Sequence, residues 1–433
     1  MIGMPFEKNI LLTEADYKDK YPPLGLMKIA TFHKLRGDNV EYSRKFKKET
    51  KNYYSEIYIG TRFSFHWKKT KELIEFYQKN YNAQIHIGGI HASINPHLYF
   101  NEFKINPRIG SLRGNIEQIL PMIKKDDNLK KIINVIVEYG IDALPPDYSI
   151  FDNQELPFNK ILKDNYFLRA TKGCNRGCPF CDVKKICEGY IAKLPIKPVI
   201  DYTIAHFGEK RNILFFDDNT LISDKLDEII DELELAGFYK KAKFNNKNRT
   251  CDFNQGLDLR KLTKEKMMLL NRICINPIRF AFDDIKMKDK YIRNIQKVIE
   301  TGQKNISVYV LYNYKDTPQD FYERLKISAT LNKEYGCRIF SFPMKYIPNG
   351  QTDRKYIGKH WSKQMIRGVQ CILNNSHGIV PVKYDFFEIA FGKDFEEFYQ
   401  IINMPEDYII HRKENKVNIE EWQRNFYNKE NDL

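Results

Sequence analysis

No cysteine occurs in the first 173 of the 433 residues, and four of the chain's eight fall between Cys174 and Cys187. Cysteines of a cytosolic chain are not expected to pair as disulfides, because that compartment keeps thiols reduced; the clustering implies one compact thiolate site. Also missing is any run approaching the roughly 20 apolar residues that span a bilayer. The opening MIGMPFEKN has neither the basic segment nor the apolar stretch of a secretory signal. A soluble, cytoplasmic protein with no membrane partner is expected. There is no low-complexity tract, and no internal repeat beyond an alternation of strand and helix patterns.

What is present suffices for large cores. With 42% hydrophobic residues over this length, two or three domains are expected. The formal charge of +14 admits a nucleic-acid partner. The lysines are scattered singly rather than run together, and the abundance of Lys, Asn, Ile and Tyr gives a compositional reading of the same charge.

Residues 1–125 read as a small open α/β unit with strands at Ile10–Leu12, Ile57–Gly60 and Ile85–Gly89. Pro22-Pro23-Leu24-Gly25 opens a helix, and KELIEFYQKNY carries helical spacing. Gly88-Gly89 leads to His91, Ala92 and Ser93, either as a ligand loop at a strand end or as a tight turn. Residues 126–164 read as a linker, in which Leu144-Pro145-Pro146-Asp147-Tyr148 cannot be helical. Over 165–348 strand and helix patterns alternate six times, with strands beginning at Tyr166, Ile213, Lys243, Ile278, Ile306 and Arg338. Six βα units predict a parallel sheet closed or partly closed into a (β/α)6 barrel, with functional groups at the C-terminal strand ends. Residues 349–433 form a mainly helical C-terminal extension.

The polar clusters obey the barrel rule: Asp217 and Asp218 end the second strand, Asn254 to Asp258 the third, Asp283 and Asp284 the fourth, and Asn313 the fifth. The cysteine loop follows the first. Cys174, Cys178 and Cys181 are spaced CxxxCxxC, so three thiolates in a short loop can bind three irons of a cubane and leave the fourth open. A structural zinc site is the alternative; it wants four ligands, and only Cys187 stands near enough to supply the last.

This spacing resembles the signature CxxxCxΦC of the radical S-adenosylmethionine (SAM) superfamily, with Phe180 as the aromatic before the third cysteine. The resemblance implies a [4Fe-4S] cluster held by Cys174, Cys178 and Cys181, SAM bound through its amino and carboxylate groups, and homolytic release of methionine and a 5'-deoxyadenosyl radical. It also implies a one-electron donor of flavodoxin or ferredoxin type, and places Phe180 near the adenine. The family's Gly-Gly-Glu at the second strand end is replaced by Phe216-Asp217-Asp218-Asn219, where Asp217 or Asp218 can accept from the SAM ammonium; helix capping is the competing role. Asn254, Gln255 and Asp258, with Arg260 beside them, can orient SAM or substrate, or build a turn around Gly256.

Residues 1–150 resemble the B12-binding-type domain of one radical SAM branch at Pro22-Pro23-Leu24-Gly25-Leu26, Gly88-Gly89-Ile90-His91-Ala92 and Leu144-Pro145-Pro146-Asp147-Tyr148. That resemblance brings in cobalamin without settling it. There is no DxHxxG, so His91 is not a lower cobalt ligand, and Gly110-Ser111-Leu112-Arg113-Gly114-Asn115 replaces the family's acidic glycine loop. The methylthiotransferases, which resemble this branch, use three further N-terminal cysteines that are absent. A radical SAM enzyme acting on an unactivated C–H bond, with cobalamin-dependent methylation as one outcome, is the reading adopted. A nucleic-acid-binding protein with a structural metal, and an RNA- or peptide-modifying radical SAM enzyme without cobalamin, are the alternatives. Cys187, Cys251, Cys274, Cys337 and Cys371 are each a catalytic thiol or a core residue, and core is the general rule for the isolated four.

Overall fold

Ile10, Leu11 and Leu12 are fully buried, as befits a strand covered on both faces. That strand, β1 (Asn9–Glu14), lies inside an all-parallel sheet of order β2-β1-β3-β4, with β2 at Asn39–Ser43, β3 at Glu56–Thr61 and β4 at Gln84–Gly89. This computed structural model describes residues 7–187, 189–412 and 414–431. It divides into two compact units. Unit 1 holds the described residues up to Gln255, with Leu269–Ile275 and Pro348–Arg354; unit 2 holds Gly256–Met268, Asn276–Ile347 and the described residues from Lys355 onward.

The helix Leu24–Arg36 begins directly after Pro22-Pro23, as expected, and stops at Gly37, whose φ of 92° closes it in the left-handed conformation. The helix Trp67–Asn80 starts four residues before the predicted segment. β2 was not anticipated, because NVEYS has a single aliphatic residue and lies at the sheet edge, where burial makes little demand on composition.

Gly89 decides how β4 ends. Its φ is 103°, and a Cβ there would run into the Thr61 backbone, with the amide nitrogen only 2.8 Å away. Gly89 thus serves close packing of β4 against β3 and a sharp entry into the helix Ile90–Ile94. Gly89→Ala should cost about 2–4 kcal/mol, read as a lowered urea midpoint with unchanged slope.

Unit 1 also contains the parallel sheet β5-β6-β9, with β5 at Asn165–Leu168, β6 at Asn212–Phe215 and β9 at Cys251–Phe253. The single strand predicted from Lys243 is instead a hairpin followed by β9. β7 (Lys243–Phe244) and β8 (Lys247–Asn248) are antiparallel, joined through Asn245 and Asn246 at φ 48° and 60°. Two positive φ values in a two-residue loop are what such a hairpin requires, and Asn tolerates them best after Gly. The segment 126–164 is not an exposed tether: it forms helices at Asp127–Lys130 and Ile133–Tyr139, and residues 141–148 are buried throughout.

Unit 2 carries the parallel sheet β10-β11-β12, with β10 at Ile278–Ala281, β11 at Asn305–Tyr312 and β12 at Arg338–Lys345. Thr317 and Asp320 form a reciprocal capping box that starts the helix Pro318–Tyr335. From this helix the fully buried Arg324 donates to the carbonyls of Phe282 at 3.0 Å and Leu311 at 2.8 Å, and pairs with Asp316 at 2.8 Å. Those carbonyls belong to the ends of β10 and β11, so one guanidinium satisfies backbone groups that no strand partner reaches. The C-terminal extension is helical, as predicted, with its longest segments at Lys363–Asn375 and Lys416–Asn431. Phe398 stacks on Tyr322 at 5.1 Å, which packs the extension on the Pro318–Tyr335 helix. No helix among the described residues is long and apolar enough to cross a membrane.

Candidate active site

The cysteine loop leaves β5 at its C-terminal end. Lys172 pairs antiparallel with Ile191, N to O at 3.1 Å and 2.8 Å, so the loop is closed at its base before it begins. Gly173 follows at φ 86°, with Cys187 Cβ 3.4 Å from where its own Cβ would stand. Residues 174–181 have no regular structure, and a short helix, Val183–Ile186, comes after them. Cys174 and Cys178 are half-buried and Cys181 is exposed, whereas Cys187 is buried. Cys181 N donates to Cys178 O at 3.0 Å, folding the second and third cysteines into one turn.

The three thiols fit a cubane. None of them is in a disulfide, all three reach solvent from one loop, and Asn219 Nδ2 donates to Cys174 Sγ at 3.4 Å. Cys181's thiol is pushed up by burial first and then by the neighbouring Cys178 and Cys174. Among the described residues no three His, Cys, Asp or Glu side chains converge on a single-ion site. A cubane asks for something else, one thiolate on each of three irons spread around the cluster.

Asp217 and Asp218 stand at the end of β6, beside that loop, and hold its root. Asp218 Oδ2 accepts from Gly173 N at 2.8 Å and from Arg169 Nη1 at 3.0 Å, and lies 3.8 Å from Cys187 Sγ. Asp217 Oδ1 accepts from the backbone amide of Thr171 and from its hydroxyl at 3.0 Å. Neither carboxylate caps a following helix: Asn219 occupies the N-cap position of the turn Thr220–Ile222 without a side-chain bond. Asp217 Oδ2 is buried and has no hydrogen-bond partner among the described residues.

Burial pushes the Asp217 carboxyl up to about 7, against the pull of Thr171 and Arg169. The folded state therefore binds this proton more tightly than the unfolded chain, where the group titrates near 3.8. The contribution of this one group to stability is fully present below that value and is lost as pH rises towards 7, by an amount on the order of 4 kcal/mol. Asp217→Asn should flatten the wild-type decline between pH 4 and 7 in melting curves recorded without SAM.

Asn254 is buried just beyond β9; its Oδ1 accepts from Tyr21 Oη at 3.2 Å and its amide donates to Phe215 O at 3.1 Å. Gln255 is exposed. The chain passes into unit 2 after Gln255. There Asp258 accepts from Arg260 N at 3.2 Å and Arg260 Nε at 2.6 Å, capping its own turn. Phe180 is half-buried in the cysteine loop. In unit 2, Asp283 accepts from Leu311 N at 3.1 Å, Asp284 caps Lys286 N at 2.9 Å, and Tyr312 is buried against Phe321 and Trp361. Cys251, Cys274, Cys337 and Cys371 are all buried.

One cluster escaped the sequence reading. Asp142 Oδ2 accepts from Lys172 Nζ at 2.6 Å and from Leu112 N at 2.9 Å, and its carbonyl accepts from Lys28 Nζ. Burial would raise this carboxyl, but Lys172 and Lys28 hold it below the usual range. A segment read as linker thus ties the root of the cysteine loop to the Gly110–Asn115 loop. The only signal was three charged residues in otherwise apolar surroundings.

At the end of β1, Glu14 is fully buried, held by Arg62 at 2.9 Å and 3.1 Å, Tyr42 Oη at 3.0 Å and Arg44 at 3.4 Å. In the order β2-β1-β3-β4 the switch point lies between β1 and β3, where an open sheet takes its ligands. The Glu14 ion pairs stand at that point, and burial still raises the Glu14 carboxyl despite both arginines. His91 is likewise a packed residue, 3% exposed, with Nδ1 2.7 Å from Tyr99 Oη.

With this geometry in view, the fold can be compared with solved structures. TsrM from Kitasatospora setae, a radical SAM methyltransferase solved with cobalamin and a [4Fe-4S] cluster bound, matches over 80% of this chain and 77% of its own, at 13% identity and a TM-score of 0.51. This chain has the TsrM fold. The same enzyme with tryptophan substrate and the SAM analogue aza-SAM matches over 79% and 73%, at 13% identity and a TM-score of 0.50. The expected succession of an open parallel α/β sheet and further parallel βα units is observed, with the strands after β4 forming the two three-stranded sheets β5-β6-β9 and β10-β11-β12 rather than one sheet. No family model and no curated protein matches the sequence.

Proposed function

We propose that this chain is a radical SAM enzyme that activates an unactivated C–H position of its substrate. The observation that carries the reading is the open three-thiol loop at the end of β5, rooted by Asp217 and Asp218 from the end of β6. Cys174, Cys178 and Cys181 would hold three irons of a [4Fe-4S] cluster, which when bound with SAM supplies one-electron cleavage of the sulfonium to methionine and a 5'-deoxyadenosyl radical. The residues around it have separate tasks. Asn219 donates to Cys174 Sγ, a bond of the kind that tunes cluster potential. Asp218 and Arg169 fix the loop root, and Asp217 Oδ2 is the acceptor proposed for the SAM ammonium, which would favour its ionised form. Phe180 is assigned to the adenine, and Asn254 and Gln255 to SAM or substrate.

The domain boundaries proposed with this reading are 1–125, 126–164, 165–348 and 349–433. A flavodoxin- or ferredoxin-type donor would supply the electron. A reducing, cytoplasmic setting agrees with eight cysteines none of which forms a disulfide, including Cys251 and Cys274 with sulfurs 3.9 Å apart. Cobalamin-dependent methylation is favoured by the fold shared with TsrM; against it, the β1/β3 crevice does not fit a ligand group while the Glu14–Arg62 pair stands, so no step is assigned to cobalamin. Anaerobic reconstitution with iron, sulfide, reductant and SAM should yield 5'-deoxyadenosine by mass spectrometry. Iron-loaded protein that forms none would refute the reading, and corrinoid absorbance after growth with cobalamin separates methylation from plain hydrogen abstraction.

A further inference from the structure

The N-terminal ends of β5 and β6 face away from the cysteine loop, and beside them unit 1 has an open cleft of about 1110 Å³. Lys210, immediately before β6, lines it and is 7% exposed. Its ammonium makes no hydrogen bond and no ion pair with any described residue. The nearest partner is the ring of Tyr148, with Nζ 4.4 Å from the centroid. Burial lowers its pKa, and the one opposing charge is Asp164, beyond ion-pair reach. A cation on a largely buried side chain that faces a π-system and the open cavity is incompletely compensated.

The acids nearby do not relieve it. Asp147 is taken by Lys34 at 3.0 Å, and the exposed Asp152 and Glu155 line the mouth without pairing to Lys210. The wall beside the ammonium is aromatic: Tyr148 packs on Phe207 at 5.5 Å, and Tyr202 on His206 at 4.1 Å. Lys163 stands exposed at the rim. A buried unpaired cation, a flat apolar wall and an open volume of this size together describe a receptor for a ring that bears an anion.

We infer that this cavity binds a small organic oxyanion, a carboxylate or phosphate ester carried on a flat ring, with its anion on Lys210 and its ring against Tyr148 and Phe207. The site is separate from the cysteine loop, and its test does not depend on the reaction proposed above. Isothermal titration of the full chain at fixed ionic strength, with phenyl phosphate and with benzoate, provides that test. Saturable binding of at least one is expected, weakened roughly tenfold or more in Lys210→Gln; which probe binds distinguishes phosphate from carboxylate. Should Lys210→Gln fail to fold, Lys163→Glu at the exposed rim is read instead, with a several-fold loss expected. Absence of saturable binding to the wild type, or equal affinity in the wild type and the variants, overturns the inference.

Discussion

Cys178→Ala is expected to abolish 5'-deoxyadenosine formation and to lower the iron retained after anaerobic reconstitution by roughly tenfold or more. Cys178 is the middle thiol of the loop and the carbonyl acceptor of the Cys178–Cys181 turn. Alanine keeps that backbone bond while removing the sulfur, so the loss is chemical rather than conformational. Cys187→Ala is the informative partner experiment. Cys187 lies close to the loop root, 3.8 Å from Asp218, and is the one cysteine able to complete a four-thiolate site. If the fourth iron is open, Cys187→Ala retains its iron; a metal content that falls equally in both variants would point to a closed, four-ligand centre.

Asp218→Ala should have the second largest effect, lowering stability by about 2–4 kcal/mol and the yield of loaded cluster with it. Two bonds are lost at once, the Gly173 amide at 2.8 Å and the Arg169 guanidinium at 3.0 Å. Burial penalises the Arg169 charge, but Asp218 and Asp217 more than restore it, so removing Asp218 leaves a cation without its main partner. The Arg169 and Asp218 side chains are 25% and 16% exposed, which keeps the expected cost below that of a dry pair. Asp218→Asn retains an acceptor for Gly173 N and loses the charge, so it should fall between alanine and the wild type. Denaturant midpoints together with iron-to-protein ratios check both effects.

Much of this was legible because the signals were local. The apolar runs of β1, β3 and β11 are largely buried, those of β4 and β10 are short but apolar, and the three cysteines sit in one short loop, so no tertiary knowledge was needed to place them. The failures were tertiary in origin. β2 exists because β1 offers it an edge, not because NVEYS is a strong strand former. The Asn245-Asn246 turn interrupts what reads as one strand, and the segment 126–164, read as linker around its non-helical Pro145-Pro146, holds a buried Asp142 whose partners, Lys172 and Lys28, lie 30 and 114 residues away. Asp217 and Asp218 were legible as site residues by position, but their bonds to Thr171 and Gly173 depend on two adjacent parallel strands ending at the same level. Asn254 and Asp258 were grouped as the polar residues at one strand end, and the chain passes from one compact unit to the other after Gln255.

The central claim is that one corner of the cluster takes its ligands from SAM instead of from the chain. Electron–nuclear double resonance on the reduced, reconstituted protein, with SAM labelled by nitrogen-15 at the amino group and oxygen-17 at the carboxylate, reads that corner directly. Hyperfine coupling to both labels is the predicted result. A reduced cubane that couples to neither label, in protein shown to bind SAM, would contradict it.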